Sequence, residues 1–124
     1  MSNIFGDVIS SYSRAQAIED GVLVDVSSVA QEAGVRVPVA LTRAVWDRYV
    51  TVPPKARGQD EAGRLWDVLS MLRFAIKGGR DSSELRYSLI VHTAKGRRRI
   101  ILKSICGPGD DAEPVITIML PEED

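Results

Sequence analysis

Between residues 58 and 77, apolar side chains return every three or four positions, at Ala62, Leu65, Leu69, Leu72 and Ile76. That spacing lays them along one stripe of an α-helix. Val68, Met71 and Ala75 widen the stripe, which predicts a long central helix covered on more than one side. Gln59, Asp60 and Glu61 fall in its first turn, where acidic and polar groups meet the positive end of the macrodipole. Asp60 and Arg64 stand four apart in acid-before-base order, and Gly78-Gly79 stops the helix. Downstream the period changes to two. Leu85, Tyr87, Leu89 and Val91 alternate with Arg86, Ser88, Ile90 and His92, the pattern of a half-buried strand. A turn at Lys95-Gly96, a returning strand over 100–106 and a last strand over 115–120, stopped by Pro121, complete an antiparallel meander of three strands.

The N-terminal half reads as shorter pieces. Ser13 caps a helix over 13–20 that ends on Gly21 and feeds a β-branched strand over 22–26. A second short helix over 28–33 ends at Gly34. Val35-Arg36-Val37 has strand-like content, but Pro38 limits any ladder beyond it. Thr42 is placed to cap a helix reaching about Tyr49, with Val45, Trp46 and Tyr49 on one face, before Val52-Pro53-Pro54 breaks the chain. The expected class is α+β in a single domain over 1–124. Its three-stranded antiparallel meander, in the C-terminal half, packs on the long central helix, with short helices and one short strand in the N-terminal half.

Composition narrows the chemistry. The chain has 124 residues and a net charge of −1, so the molecule as a whole offers no basic footprint for nucleic acid. Cys106 is the single cysteine, which excludes an intrachain disulfide and a thiolate zinc cage, and fits a reducing cytoplasm. No apolar run approaches the roughly 20 residues that span a bilayer. The first residues, Met1 to Asp7, lack the basic and apolar regions of a signal peptide. No membrane partner is therefore expected.

Polar residues concentrate at the first helix–strand junction, where Arg14, Gln16, Glu19, Asp20 and Asp25 make a candidate binding surface. Arg73, at the edge of the long stripe, is placed to stack on a ring or pair with Glu19, Asp20 or Asp25. Lys95, Arg97, Arg98, Arg99 and Lys103 gather cations around one hairpin. No aromatic residue interleaves with them to stack bases, so nucleic acid is a disfavoured partner. Pairing with Asp110, Asp111 or the acidic C-terminus explains that cluster equally well.

Gly107-Pro108-Gly109-Asp110-Asp111 and Glu113 carry oxygen donors, but without the ligand spacing of a dedicated calcium loop; turn chemistry is the leading account of them, and a partner-contact or weak metal role for Asp110 and Asp111 is the alternative. His92 and Cys106 are the one pair to test as base and nucleophile. With the turn at Lys95-Gly96, His92 falls opposite Arg98 or Arg99 and Cys106 opposite Leu85, roughly 23 Å apart along the hairpin. The dyad is rejected, and Cys106 reads as a small buried apolar residue. The sequence thus calls for no catalytic residues, no metal and no cofactor.

Ile4-Phe5-Gly6, the 14–27 segment, Pro38-Val39 with Ala44-Val45-Trp46, Gly58-Gln59-Asp60-Glu61, and residues 106–111 with the strand to Pro121 occur together and in order. In that combination the chain resembles a family of short, uncharacterised bacterial proteins encoded on plasmids, integrative elements and phages. The resemblance covers nearly the full length and brings no catalytic residues with it. It implies a mobile-element accessory protein. The leading expectation is a non-enzymatic host-defence inhibitor, anti-CRISPR-like, that binds and occludes a host or element protein complex. One alternative is a small-molecule or nucleotide-sequestering protein using Arg14, Arg73 or the hairpin cations. The other is a carboxylate-dependent enzyme using residues such as Glu19 and Asp20.

Overall fold

The computed structural model describes residues 12–52, 60–78, 83–93 and 95–124. Helix α1 (Arg14–Glu19) begins in a capping box: the Ser13 hydroxyl accepts from the Gln16 N–H at 3.0 Å, and the Gln16 side chain accepts from the Ser13 N–H at 2.9 Å. Gly21, at φ +80, turns the chain into β1 (Leu23–Asp25). Helix α2 (Ser27–Glu32) follows, its start tied down by the Ser27 hydroxyl on the Asp25 carboxylate at 2.6 Å. Strand β2 (Val39–Thr42) leads directly into α3 (Arg43–Val45), which widens into a π-helical turn over Trp46–Val50. Thr42 caps it as its position predicts, accepting from the Val45 N–H at 3.3 Å.

The long helix α4 (Glu61–Lys77) is capped by Asp60, whose carboxylate accepts from the Gly63 N–H. Strands β3 (Glu84–Thr93), β4 (Gly96–Pro108) and β5 (Pro114–Met119) complete the chain. The meander of β3, β4 and β5 is present, but as part of a five-stranded sheet of order β1-β2-β5-β4-β3. The expected three-stranded sheet is thus corrected in two places. The short N-terminal strand joins the sheet edge, and β2, where no strand was expected, inserts parallel to β5. Val39, Ala40 and Leu41 are buried, so this central strand shows no alternation to betray it. The segment Val35-Arg36-Val37 is not a strand. Pairing begins at Pro38, whose carbonyl accepts from the Ile116 N–H at 2.9 Å.

A parallel neighbour requires a crossover. Here the connection from β2 to β5 runs through α3, α4 and the β3–β4 hairpin, which lays α4 across one face of the sheet. The core lies between them, with Leu41, Leu69, Leu72, Leu102 and Ile118 fully buried. The Tyr87 hydroxyl donates to the Val68 carbonyl at 3.1 Å, and burial pushes its phenol pKa up. Only one arc of α4 enters this core: Leu65, Val68, Leu69 and Leu72. Ala62 and Ile76, which the spacing placed on the buried stripe, are exposed. Ala62 lies in the first turn, ahead of every buried residue of the helix, and Ile76 overhangs the end of the core. The helix is flanked by β3, α2 and the π-helical turn, while its outer face, with Trp66 and Phe74, is open.

Candidate functional site

At the end where Ile76 overhangs, the inner face of the sheet changes character. Register pairs Leu85 with Ser104 and Tyr87 with Leu102, so Leu102, Ser104 and Cys106 follow one another on the face toward α4. Leu102 fills its place under the helix; Ser104 and Cys106 are too small to do so. The result is a cleft of about 450 Å³. Its floor is Ser83, Leu85, Ser104, Cys106 and Ile116, one wall is Val35 and Val37, and the other is Ile76. Arg36, Arg73 and Lys77 supply its charge, and no acidic side chain lines it among the described residues. Ser104 is only 4% exposed, and its hydroxyl has no hydrogen-bond partner among the described residues.

Gly34 belongs to this construction. It takes φ +98, in the range that favours glycine, and a Cβ there would collide with the Arg73 guanidinium. The absent side chain is what lets Arg73 lie across the turn after α2. No carboxylate among the described residues is within ion-pair distance of Arg73, so Glu19, Asp20 and Asp25 are not its partners.

On the outer side of the same helix, Trp66, Ser70, Arg73, Phe74 and Lys77 form a second stripe around a shallow hollow. Trp66 is 43% exposed and Phe74 73%. Arg73 and Lys77 thus border both the cleft and the aromatic stripe.

The N-terminal candidates are engaged within the fold. Arg14 donates to the Thr117 hydroxyl and the Ile116 carbonyl, each at 2.7 Å, so it fastens α1 to β5. Burial lowers its pKa, opposed by Asp25, Asp110 and Glu113. Asp110 accepts from the N–H groups of Arg14 at 2.8 Å and Ala15 at 3.0 Å, and those two bonds hold its pKa below the usual carboxylate value. Gln16 completes the capping box, and Asp20 accepts from the Tyr12 hydroxyl at 2.7 Å, which raises the phenol pKa. Glu19 is exposed. Asp111 lies in the turn after β4, its N–H donating to Glu113 at 3.0 Å.

The basic hairpin keeps Lys95, Arg97, Arg98 and Arg99 exposed but loses Lys103, which is buried and donates to the Glu123 carbonyl under the C-terminal tail. His92 pairs with Arg97, because the turn begins one residue earlier than expected: Thr93 is opposite Gly96. The Cys106 N–H donates to the Ser83 carbonyl at the far end of the hairpin, so the two remain widely separated. Cys106 itself is exposed, not buried, because the inner face of β4 has run past the core there. No cluster of three or more potential metal ligands occurs among the described residues.

Sequence reasoning singled out Arg73 but missed Arg36, Lys77 and Ser104. The one local signal was the change from Leu102 to Ser104 and Cys106 along a single strand face.

Fold and site together define a small α+β protein with a mixed five-stranded sheet, α4 across one face and a cation-bordered cleft at the end of its core. The chain belongs to the family of unknown function DUF6573, whose model matches residues 1–124. No curated protein and no solved structure matches it.

Proposed function

We propose that this is a non-enzymatic protein that docks on an acidic protein surface through the outer face of α4. The observation that carries the reading is the exposed stripe of Trp66 and Phe74 flanked by Arg73 and Lys77. Tryptophan and arginine are the residue types that dominate binding hot spots, and an aromatic 73% exposed gains most by being covered. The flanking cations favour a partner whose apolar hollow is rimmed by carboxylates, which speeds encounter and selects orientation.

The resemblance to mobile-element proteins makes a host-defence complex of the CRISPR-effector type the proposed target class. Occlusion of such a complex needs a surface, not a reaction, which agrees with the structural work done by Arg14, Gln16, Asp20 and Asp110. The test is plating of a phage on a host whose CRISPR system targets it. Expression of the protein should restore plaques, and Trp66→Ala with Phe74→Ala should abolish the rescue while leaving the melting temperature unchanged. Plaque counts unaffected by the protein across CRISPR types, or rescue undiminished in the double variant, would refute the reading.

A further inference from the structure

The cleft at the end of the core is distinct in chemistry from the aromatic stripe, although Arg73 and Lys77 border both. We propose that it binds a small amphiphilic anion: a carboxylate or phosphate head on an aliphatic body. Its volume of about 450 Å³ lies in the range of small-ligand sites, and like them it combines an apolar lining with a few polar groups. Arg36, Arg73 and Lys77 present positive charge, with no acidic side chain among the described lining residues to neutralise it. Ser104 adds a hydroxyl that is 4% exposed and without a partner among the described residues. A buried unpaired hydroxyl is destabilising, and an oxygen of an anionic head is the acceptor that relieves it.

The body of the ligand follows from the walls. Val35, Val37, Ile76, Leu85 and Ile116 are aliphatic, and no aromatic ring lines the cleft among the described residues. A nucleobase would find nothing to stack on, whereas an alkyl chain finds dispersion contacts on both sides. The C-terminal end of α4 brings the negative end of its dipole to the same neighbourhood. That is worth about half a charge, against the full charges of the three cations.

The experiment uses the full chain with decanoate, decyl phosphate and decanol as probes, in isothermal titration and in alkylation of Cys106 by N-ethylmaleimide. Cys106 is the only cysteine and lines the cleft, so its reaction rate reports occupancy there. One of the two anions should bind at a single site, with decanol weaker by about tenfold or more, and saturation should slow Cys106 alkylation. Tighter binding of decanoate assigns a carboxylate head and tighter binding of decyl phosphate a phosphate head; either upholds the proposal. Arg73→Gln with Lys77→Gln should weaken the anion by about tenfold and remove the protection of Cys106. Ser104→Leu should fill the floor and lose binding. If that variant fails to fold, the paired substitution at the two exposed cations carries the test alone. Absence of binding by both anions, equal binding of decanol, or Cys106 alkylation unchanged at saturation would overturn the proposal. None of these results touches the Trp66 and Phe74 rescue assay, so the two readings fail separately.

Discussion

Leu69 and Ile76 occupy the same stripe of α4 by sequence spacing, yet the structure places them in different environments. Leu69 is 0% exposed between β-sheet and helix neighbours, whereas Ile76 is 41% exposed over the cleft. Truncating Leu69 to alanine removes about three buried carbon groups, worth about 2 kcal/mol of transfer free energy. It also leaves a void of about 75 Å³, and at about 24 cal/mol per Å³ an unrelaxed cavity adds about 2 kcal/mol more. The sum, about 4 kcal/mol, is an upper value, because Leu65 and Leu72 can partly close the gap. Ile76→Ala creates no closed cavity, since its space opens to solvent, and should cost about 1 kcal/mol. Urea unfolding followed by tryptophan fluorescence measures both. Each kilocalorie corresponds to about 3–5 °C in a domain of this size, so the melting temperatures should differ by about 10 °C. Equal losses at the two positions would refute the placement of the core edge. So would a Leu69→Ala loss below about 0.5 kcal/mol, the range of surface substitutions.

Gly34→Ala should cost about 1–2 kcal/mol from its positive φ and add a displacement of Arg73. Combining it with Arg73→Ala should recover the collision but not the backbone strain, so denaturant melts of the double variant that are simply additive would count against the contact. Asp110 has a folded pKa held below its unfolded value by two N–H bonds, so its contribution is present above about pH 4 and lost as pH falls through the lower folded value. Asp110→Asn should flatten the stability profile in that acid window, and an unchanged acid-unfolding curve would show that the bonds to α1 do not matter.

The local punctuation of the fold was legible because each signal acts within one turn of chain. Ser13 and Thr42 cap the helices that follow them, and Gly21 and Gly34 take the positive φ that ends the first two, whereas Asp60, expected inside the first turn of the long helix, is its cap. The turn of the β3–β4 hairpin was legible to within one residue and its pairing to within two, and alternation fixes which face each side chain takes. The cap at Arg14 and Ala15 was not, because Asp110 reaches it across a sequence separation of 96. At that junction Arg14 and Asp20 make hydrogen bonds that only the folded chain displays.

Local sequence therefore determined where helices start and stop, which strand faces are apolar, and that α4 is amphipathic. Tertiary structure decided the rest. In the four-residue interior strand Val39–Thr42 the first three residues are apolar and buried without alternation, and its place beside β5 depends on a crossover more than seventy positions long, beyond any periodic signal. The cleft is a product of the same assembly. It exists because the helix extends past Leu102 while the strand beneath it turns to Ser104 and Cys106, and because Gly34 leaves room for Arg73 from a different helix. Side chains from separate segments become neighbours only when the sheet order is fixed. Burial at Leu69 and exposure at Ile76 follow from that order and not from their shared spacing.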